Sequence, residues 1–417
     1  MTSADDGATR GVSRFLLPYA EIFRIRHAWR FSVAGIIGRM PMSMSGLGIV
    51  LLISASTGRY GVAGSVSAAG SLGLAACAPQ FARLADRYGQ ARVLPPLAAA
   101  FTMSVIGLVI AVQLRAPSWA FFPPGIAAGA TMPSLGPMSR ARWSALLAGS
   151  PRLHTAFSLE SVADEVCFVV GPAMVTILST QLHPAAGLGA AALFCIAGTT
   201  WFAAQRSTQP PVSPHAMPSA GDRAGRKAAR LAAPGLAAIV PVYLFIGAMF
   251  VAIDLSTVAF ASHLGHKALS GLILGVYALG SATGGLWYGS RTWKAHASRR
   301  FAVTLVLTVA GVCTFGAMPN LALLTAVIYL CGMAIAPTLI AGYSLMEATA
   351  LPGRTTEAMS WLSTGISIGV ACGATAVGFI LDAFGPRWGF AFAASCGVVA
   401  ILLTLLGLAL SKPLRDV

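Results

Sequence analysis

Twelve stretches of this chain are apolar for long enough to cross a lipid bilayer, and that feature constrains its fold more than any other. A helix needs roughly 20 mostly apolar residues to traverse a ~30 Å hydrocarbon core. Such runs cover 31–55, 61–81, 93–114, 118–139, 157–180, 185–204, 234–262, 269–290, 301–318, 320–343, 358–383 and 388–411, here spans 1 to 12. Only helices and closed barrels satisfy their backbone groups inside a membrane, and runs this long read as helices. The expected fold class is an all-α integral membrane protein with 12 transmembrane helices. Charged residues make up 10% of the chain and its mean hydropathy is +0.75. A soluble domain carries about 25% charged residues, so too little polar surface exists here to cover a soluble globule. The first run follows a polar, Arg-rich segment and precedes many others, so it reads as a span and not as a cleaved signal peptide.

The basic residues orient the bundle. The formal charge of +15 invites a nucleic-acid reading, but the cations lie between the apolar runs. With the N-terminus cytoplasmic, only Arg59, Arg115, Lys267 and Arg387 fall on the outside. Arg39 lies within a span, so 28 − 4 − 1 leaves 23 on the inside. That is the separation that the positive-inside rule demands, and it predicts cytoplasmic N- and C-termini in the cell's inner (plasma) membrane. The partner is then a lipid bilayer and not a nucleic acid. All seven cysteines fall inside apolar runs without a CxxC pair, so they read as small buried hydrophobes rather than disulfides or zinc ligands.

Residues 205–233, rich in Pro, Ser and Arg, have the composition of a linker. They divide a first bundle of six spans (31–204) from a second (234–411), with short cytoplasmic segments at 1–30 and 412–417. A shift of 202 residues pairs Ala156, Ser158, Ser161 and Gly171 with Ala358, Ser360, Ser363 and Gly373, a faint echo of this 6+6 symmetry.

The loop after span 2 reads Ala82-Arg-Leu-Ala-Asp-Arg-Tyr-Gly-Gln-Ala-Arg92. It resembles the signature loop of the major facilitator superfamily, G-x-x-x-D-[RK]-x-G-R-[RK]. Asp86, Arg87 and Gly89 match, and Arg92 supplies a late basic residue. Ala82 replaces the first Gly, and Gln90 replaces a basic residue. The resemblance implies two six-helix bundles rocking about a midplane site, with this loop latching the halves in the outward-facing state. Asp86 is then a gate residue, for which Arg140 and Arg142 at the inner end of span 4 are the expected partners. Arg83 and Arg92 read as solvated loop cations. The corresponding loop of the second half, Gly285-Leu-Trp-Tyr-Gly-Ser-Arg291, lacks the acid. Gly171-Pro172 in span 5 resembles the Gly-Pro core of a motif of drug–proton antiporters, although the further paired glycines of that motif are absent. Prolines are expected to interrupt spans 1, 4, 5, 7 and 10 (Pro41, Pro133, Pro172, Pro241, Pro337), and this set includes the cavity-lining spans of the superfamily.

Ionisable residues inside a membrane are costly and mark functional sites by default. Asp254 lies within span 7. A low-dielectric surrounding favours a neutral carboxyl, so Asp254 is a candidate for proton exchange, the alternative being a hydrogen-bonded cap near the outer end. Span 5 carries Glu160 and Asp164 on one helix face, with Glu165 turned about 100° from Asp164. Glu160 is expected to pair with Arg140, Arg142 or Arg152, and Asp164 or Glu165 to reach a cavity or relay. Arg39 either bridges spans by pairing with a span-5 carboxylate or holds an anionic substrate. Glycines at four-residue spacing (Gly365, Gly369, Gly373; Gly271/Gly275; Gly280/Gly284) either pack helices tightly or slide at the interface between halves.

No Lys is preceded by Gly, so the chain has no G-x-x-x-x-G-K-[ST] phosphate loop, and no HExxH occurs. Neither a cofactor nor a metal is expected, nor an enzyme. These readings point to a secondary transporter, in the preferred version exporting a small, largely apolar compound in exchange for protons. Uptake, uniport, or a membrane sensor that keeps the transporter fold are the alternatives.

Overall fold

The computed structural model describes residues 17–212, 223–266, 269–351 and 353–410. Among these the regular structure is helical throughout, with no strand. Each apolar run becomes a helix, because in hydrocarbon every backbone N–H must find its carbonyl within the same segment. Ten helices are long and apolar enough to span on their own. Spans 4 and 8 complete the expected twelve. Span 8 (Ser270–Gly289) is full length but rich in Gly, Ser, Thr and Tyr. Span 4 is broken into Phe122–Thr131 and Leu135–Leu146. The cause is Pro133, since a residue before proline is pushed out of the helical region and Met132 is extended, with ψ of 123°.

The other expected interruptions differ. Span 1 steps from Ala28–Arg39 to Pro41–Thr57, yet Met40 keeps right-handed helical angles. Spans 5, 7 and 10 run unbroken through Pro172, Pro241 and Pro337. A long apolar helix can lose one hydrogen bond because its neighbours hold its course. The helix of span 7 begins at Arg223, so the expected linker of 205–233 is already helical over its last third. Residues 1–16, 213–222 and 411–417, which include most of the N-terminal segment, the middle of the linker and the tail, lie outside the described residues.

Helix pairs within each half pack closely through glycine. In span 11 (Thr355–Phe384), a Cβ on Gly369 would run into the carbonyl oxygen of Leu244 in span 7. Span 8 presents Gly280 and Gly284 to span 10 (Leu321–Thr349). These faces therefore hold each half together, and the expectation that they slide between halves is corrected. Gly369→Val is expected to cost about 1–3 kcal/mol by overpacking, read as a fall in the thermal midpoint of the purified protein. An unchanged midpoint would refute the contact. The stretch Gly365-Ile-Ser-Ile-Gly369 has the spacing of a hydrolase nucleophile elbow, but it lies mid-helix with Ser367 donating to the Ser363 carbonyl. It lacks the strand–turn–helix context that such chemistry needs.

The halves meet where span 2 (Tyr60–Tyr88) and the second part of span 4 lie against span 11, and where span 5 (Leu153–Ile177) lies against spans 8 and 10.

Candidate functional site: a sealed end and a central acid pair

The chain leaves span 6 at Ala204 and enters span 7 at the same end of the bundle, here the linker end. Among the described residues, every side-chain hydrogen bond or ion pair joining the two halves lies between this end and mid-depth.

The first seam joins spans 2 and 11. Gly89 turns the chain with φ of 90°, a conformation open to glycine and strained for other residues. Asp86 Oδ2 accepts a 3.0 Å hydrogen bond from the Glu357 backbone N–H, in the first turn of span 11. The first N–H groups of a helix have no partner within it and carry its positive dipole end, so a carboxylate from the other half acts as a cap. Arg83 Nε and Nη2 both donate to Glu357 Oε1, at 2.9 and 2.5 Å. Arg354 Nη1 stands 3.9 Å from the other Glu357 oxygen. Two expectations are corrected here. The partner of Asp86 is the start of span 11, not Arg140 or Arg142, which are committed elsewhere. Arg83, expected to be a solvated loop cation, reaches across to the other half. Arg87 stays exposed with its guanidinium 5.1 Å from the Tyr88 ring centroid, and Arg92 is exposed.

The second seam joins spans 5 and 8 without charge. Ser158 Oγ donates to the Gly285 carbonyl at 2.5 Å, and Thr155 Oγ1 to that of Gly289 at 2.6 Å. The His154 ring meets the Arg291 carbonyl. Tyr19, in the segment before span 1, donates to the Leu286 carbonyl at 2.7 Å. Burial pushes the Tyr19 hydroxyl up to about 12, so it keeps the proton it donates. The missing acid in the second-half loop is thus replaced by hydroxyls and bare carbonyls, which leave no motif in a sequence.

Deeper lies a neutral network of two arginines and two carboxylates. Arg39 pairs with Glu160 and, at 2.8 Å, with Asp164 Oδ1. Arg140 Nη2 donates to Asp164 Oδ2 at 2.8 Å. Glu160 Oε1 also accepts from Ser139 Oγ and Trp143 Nε1, each at 2.8 Å. The side chains of Arg39 and Glu160 are 1% and 3% exposed, whereas that of Asp164 is 24% exposed. Glu160 therefore pairs with Arg39 and not with Arg140, Arg142 or Arg152; Arg152 pairs instead with Glu21 at 2.9 Å. Arg140 lies 4.0 Å from the ring centroid of Tyr343 in span 10, a cation–π contact that carries the network into the second half.

Arg142 is buried at the ends of spans 3 and 6. It donates to Gln90 Oε1 (2.8 Å), Thr208 Oγ1 (2.8 Å) and the carbonyls of Gln205 (3.0 Å) and Phe202 (3.0 Å). Gln209 Oε1 in turn accepts from the Ala91 N–H. The departure from the signature loop at Gln90 is explained: a basic residue there would face Arg142, whereas an amide accepts from it. Gly171 packs on Ser43 of span 1, and Pro172 sits inside the continuous helix of span 5.

The last group is a pair of carboxyls, one from each half. Glu165 Oε1 accepts from Ser281 Oγ of span 8 at 2.6 Å. Asp254 lies within span 7 of the other half. Asp254 is exposed, although its neighbours Ala252 and Ile253 are buried. Among the described residues neither carboxyl forms an ion pair with a basic side chain. The Tyr277 hydroxyl, one turn before Ser281 on span 8, is buried and without a hydrogen-bond partner. Sequence reading missed Tyr277 and Ser281; only the register of span 8 against span 5 reveals them.

The sequence model of the Major Facilitator Superfamily matches residues 237–416. No curated protein matches. Solved structures match across the whole bundle. The human organic anion transporter MFSD10 superposes with a TM-score of 0.68 at 18% identity, covering 91% of this chain and 99% of its own. A bacterial homologue of the iron transporter ferroportin, in its outward-facing state, gives 0.71 at 12% identity over 92% and 100%. The E. coli fucose:proton symporter FucP gives 0.70 at 13% identity over 92% and 98%.

Proposed function

Taking as premise that the chain belongs to the Major Facilitator Superfamily by fold, and by sequence over its second half, we propose that it is a proton-coupled secondary transporter working by alternating access. In this reading it exports a small, largely apolar compound. The observation that carries the proposal is that Glu165 and Asp254, carboxyls within spans of opposite halves, have no ion-pair partner among the described residues, while the other span-5 acids are paired with arginines. Ionisable groups inside a membrane are costly and mark proton relays and solute paths, so two acids without a cation partner are the groups assigned to carry the proton.

The linker end is the cytoplasmic end by the positive-inside rule, and both seams close it. The described conformation is then outward-facing. In the proposed cycle, protons from outside load the acid pair in this state. The seams part, the far ends close, and solute arriving from the cytoplasm takes the site as the proton leaves. The Arg39–Asp164–Arg140–Tyr343 chain links the floor of the site to span 10, so a change at the acids reaches the contact between halves. Gly171-Pro172 in span 5 agrees with export.

The test is solute-induced collapse of a pH gradient in inverted membrane vesicles, across a compound panel, with Asp254→Asn and Glu165→Gln. A wild-type response that each substitution abolishes is the expected result. A response surviving in the double variant would remove these acids from coupling. Collapse seen only in right-side-out vesicles would reverse the direction to uptake, and no response in either orientation would end the proton-coupled reading.

A further inference from the structure

A groove of about 360 Å³ lies on the linker end, in the line where the two halves meet, within the ~300–1,000 Å³ range of small-ligand pockets. Ser150 and His154 of the first half form one wall. The loop after span 8, with Lys294 and His296, and the first turn of the next helix, with Arg300, form the other, and Glu347 of span 10 is the one carboxylate in the lining. Arg300 is held by its Nη1 bond to the Tyr288 hydroxyl at 2.8 Å, while its Nε is buried without a partner. Span 9 (Ala297–Phe315) starts in this groove, and its N-cap, His296, makes no side-chain capping bond. The positive dipole end of a 19-residue helix is therefore added to the held guanidinium of Arg300 and the exposed ammonium of Lys294, against one carboxylate.

We infer that this groove binds a phosphoryl group, carried either by an anionic lipid headgroup or by a free phosphate compound, and that the bound group holds the linker end closed. The chemistry is that of fixed N–H donors and cations around an oxyanion. The conformational consequence follows from the walls. Because they come from opposite halves, the groove is complete only while the seams are shut, and a ligand shifts an equilibrium toward the state it binds better. Binding is independent of the transport reading; only its effect on the cycle rests on it.

The test uses the full-length protein. Thermal midpoints are measured in detergent with inorganic phosphate against chloride at equal ionic strength, and in nanodiscs of phosphatidylcholine with or without phosphatidylglycerol. The variants are Lys294→Gln, at an exposed position, and Arg300→Gln. The expected result is a stabilising shift whose half-maximal concentration rises at least tenfold in either variant, together with slower amide exchange at residues 285–291 and 355–358. A shift with phosphate in detergent identifies a free phosphate ligand, and one confined to phosphatidylglycerol discs identifies a lipid. No shift with either anion, or one that both variants retain, overturns the site. A shift with unchanged exchange at both seams overturns the closing effect.

Discussion

Replacing Arg39 by methionine is expected to destabilise the protein by about 3–5 kcal/mol, the range for breaking a buried ion pair by removing one partner. Methionine fills similar volume, so the loss comes from charge and not from a cavity. Asp164 keeps Arg140, but Glu160 keeps only the neutral donors Ser139 and Trp143, in a position with 3% exposure. A second substitution, Glu160→Gln, removes the stranded charge, and an amide oxygen can still accept from both donors. The thermal midpoint should therefore fall steeply in the single variant and recover by more than half in the double. A single variant as stable as wild type would mean that the network contributes nothing to the fold, and failure of the double to recover would assign the loss to packing.

Asp86→Ala acts on the balance between conformations. It leaves the Glu357 N–H without its acceptor and removes a carboxylate from the positive end of a 30-residue helix. A hydrogen bond to a charged group contributes about 1.5–3 kcal/mol net, so the closed linker end should lose roughly 10- to 100-fold in population relative to its open form. Amide exchange over residues 355–358 reads this directly, because the Glu357 N–H is the donor. Exchange there should accelerate at least tenfold with little change in the thermal midpoint, and undiminished protection would contradict a latch at Asp86. Arg83→Gln should act in the same direction and more weakly, since its side chain is 45% exposed and exposed ion pairs are worth little.

The fold was legible because hydrocarbon enforces a simple rule. Each run of apolar residues must become a helix, and the positions of 28 cations must respect one side of a membrane. Glycine and proline were less decisive. Pro133 breaks span 4, while Pro172 and Pro337 sit in helices that pass through them, and sequence does not say which neighbours will hold a helix straight. The candidate site was legible in its acids and not in its partners. Glu160, Asp164, Glu165 and Asp254 stand out because charge inside apolar runs is rare, and Asp86 through the loop motif that it belongs to. Apart from Arg39, expected on a span-5 carboxylate, the partners are a backbone N–H more than 270 residues from Asp86 and a hydroxyl of span 8 on Glu165, while Arg83, which looked like an ordinary loop cation, reaches Glu357. Such contacts depend on helix register across the interface, and neither composition nor spacing records register.

If the linker end opens as the proposed cycle requires, the unlike chemistry of the two seams gives that opening a preferred direction. Salt weakens an exposed arginine–carboxylate contact, with a Debye length of ~8 Å at physiological ionic strength, but it barely touches hydroxyls bonded to carbonyls. The span 2–11 side is then the edge that unfastens first and responds to the ionic surroundings. In that cycle the span 5–8 side, with Tyr19 pinned across it, would be the axle on which the halves turn. The sequence asymmetry between the two loops, one with an acid and one without, is in mechanical terms the difference between a clasp and a hinge.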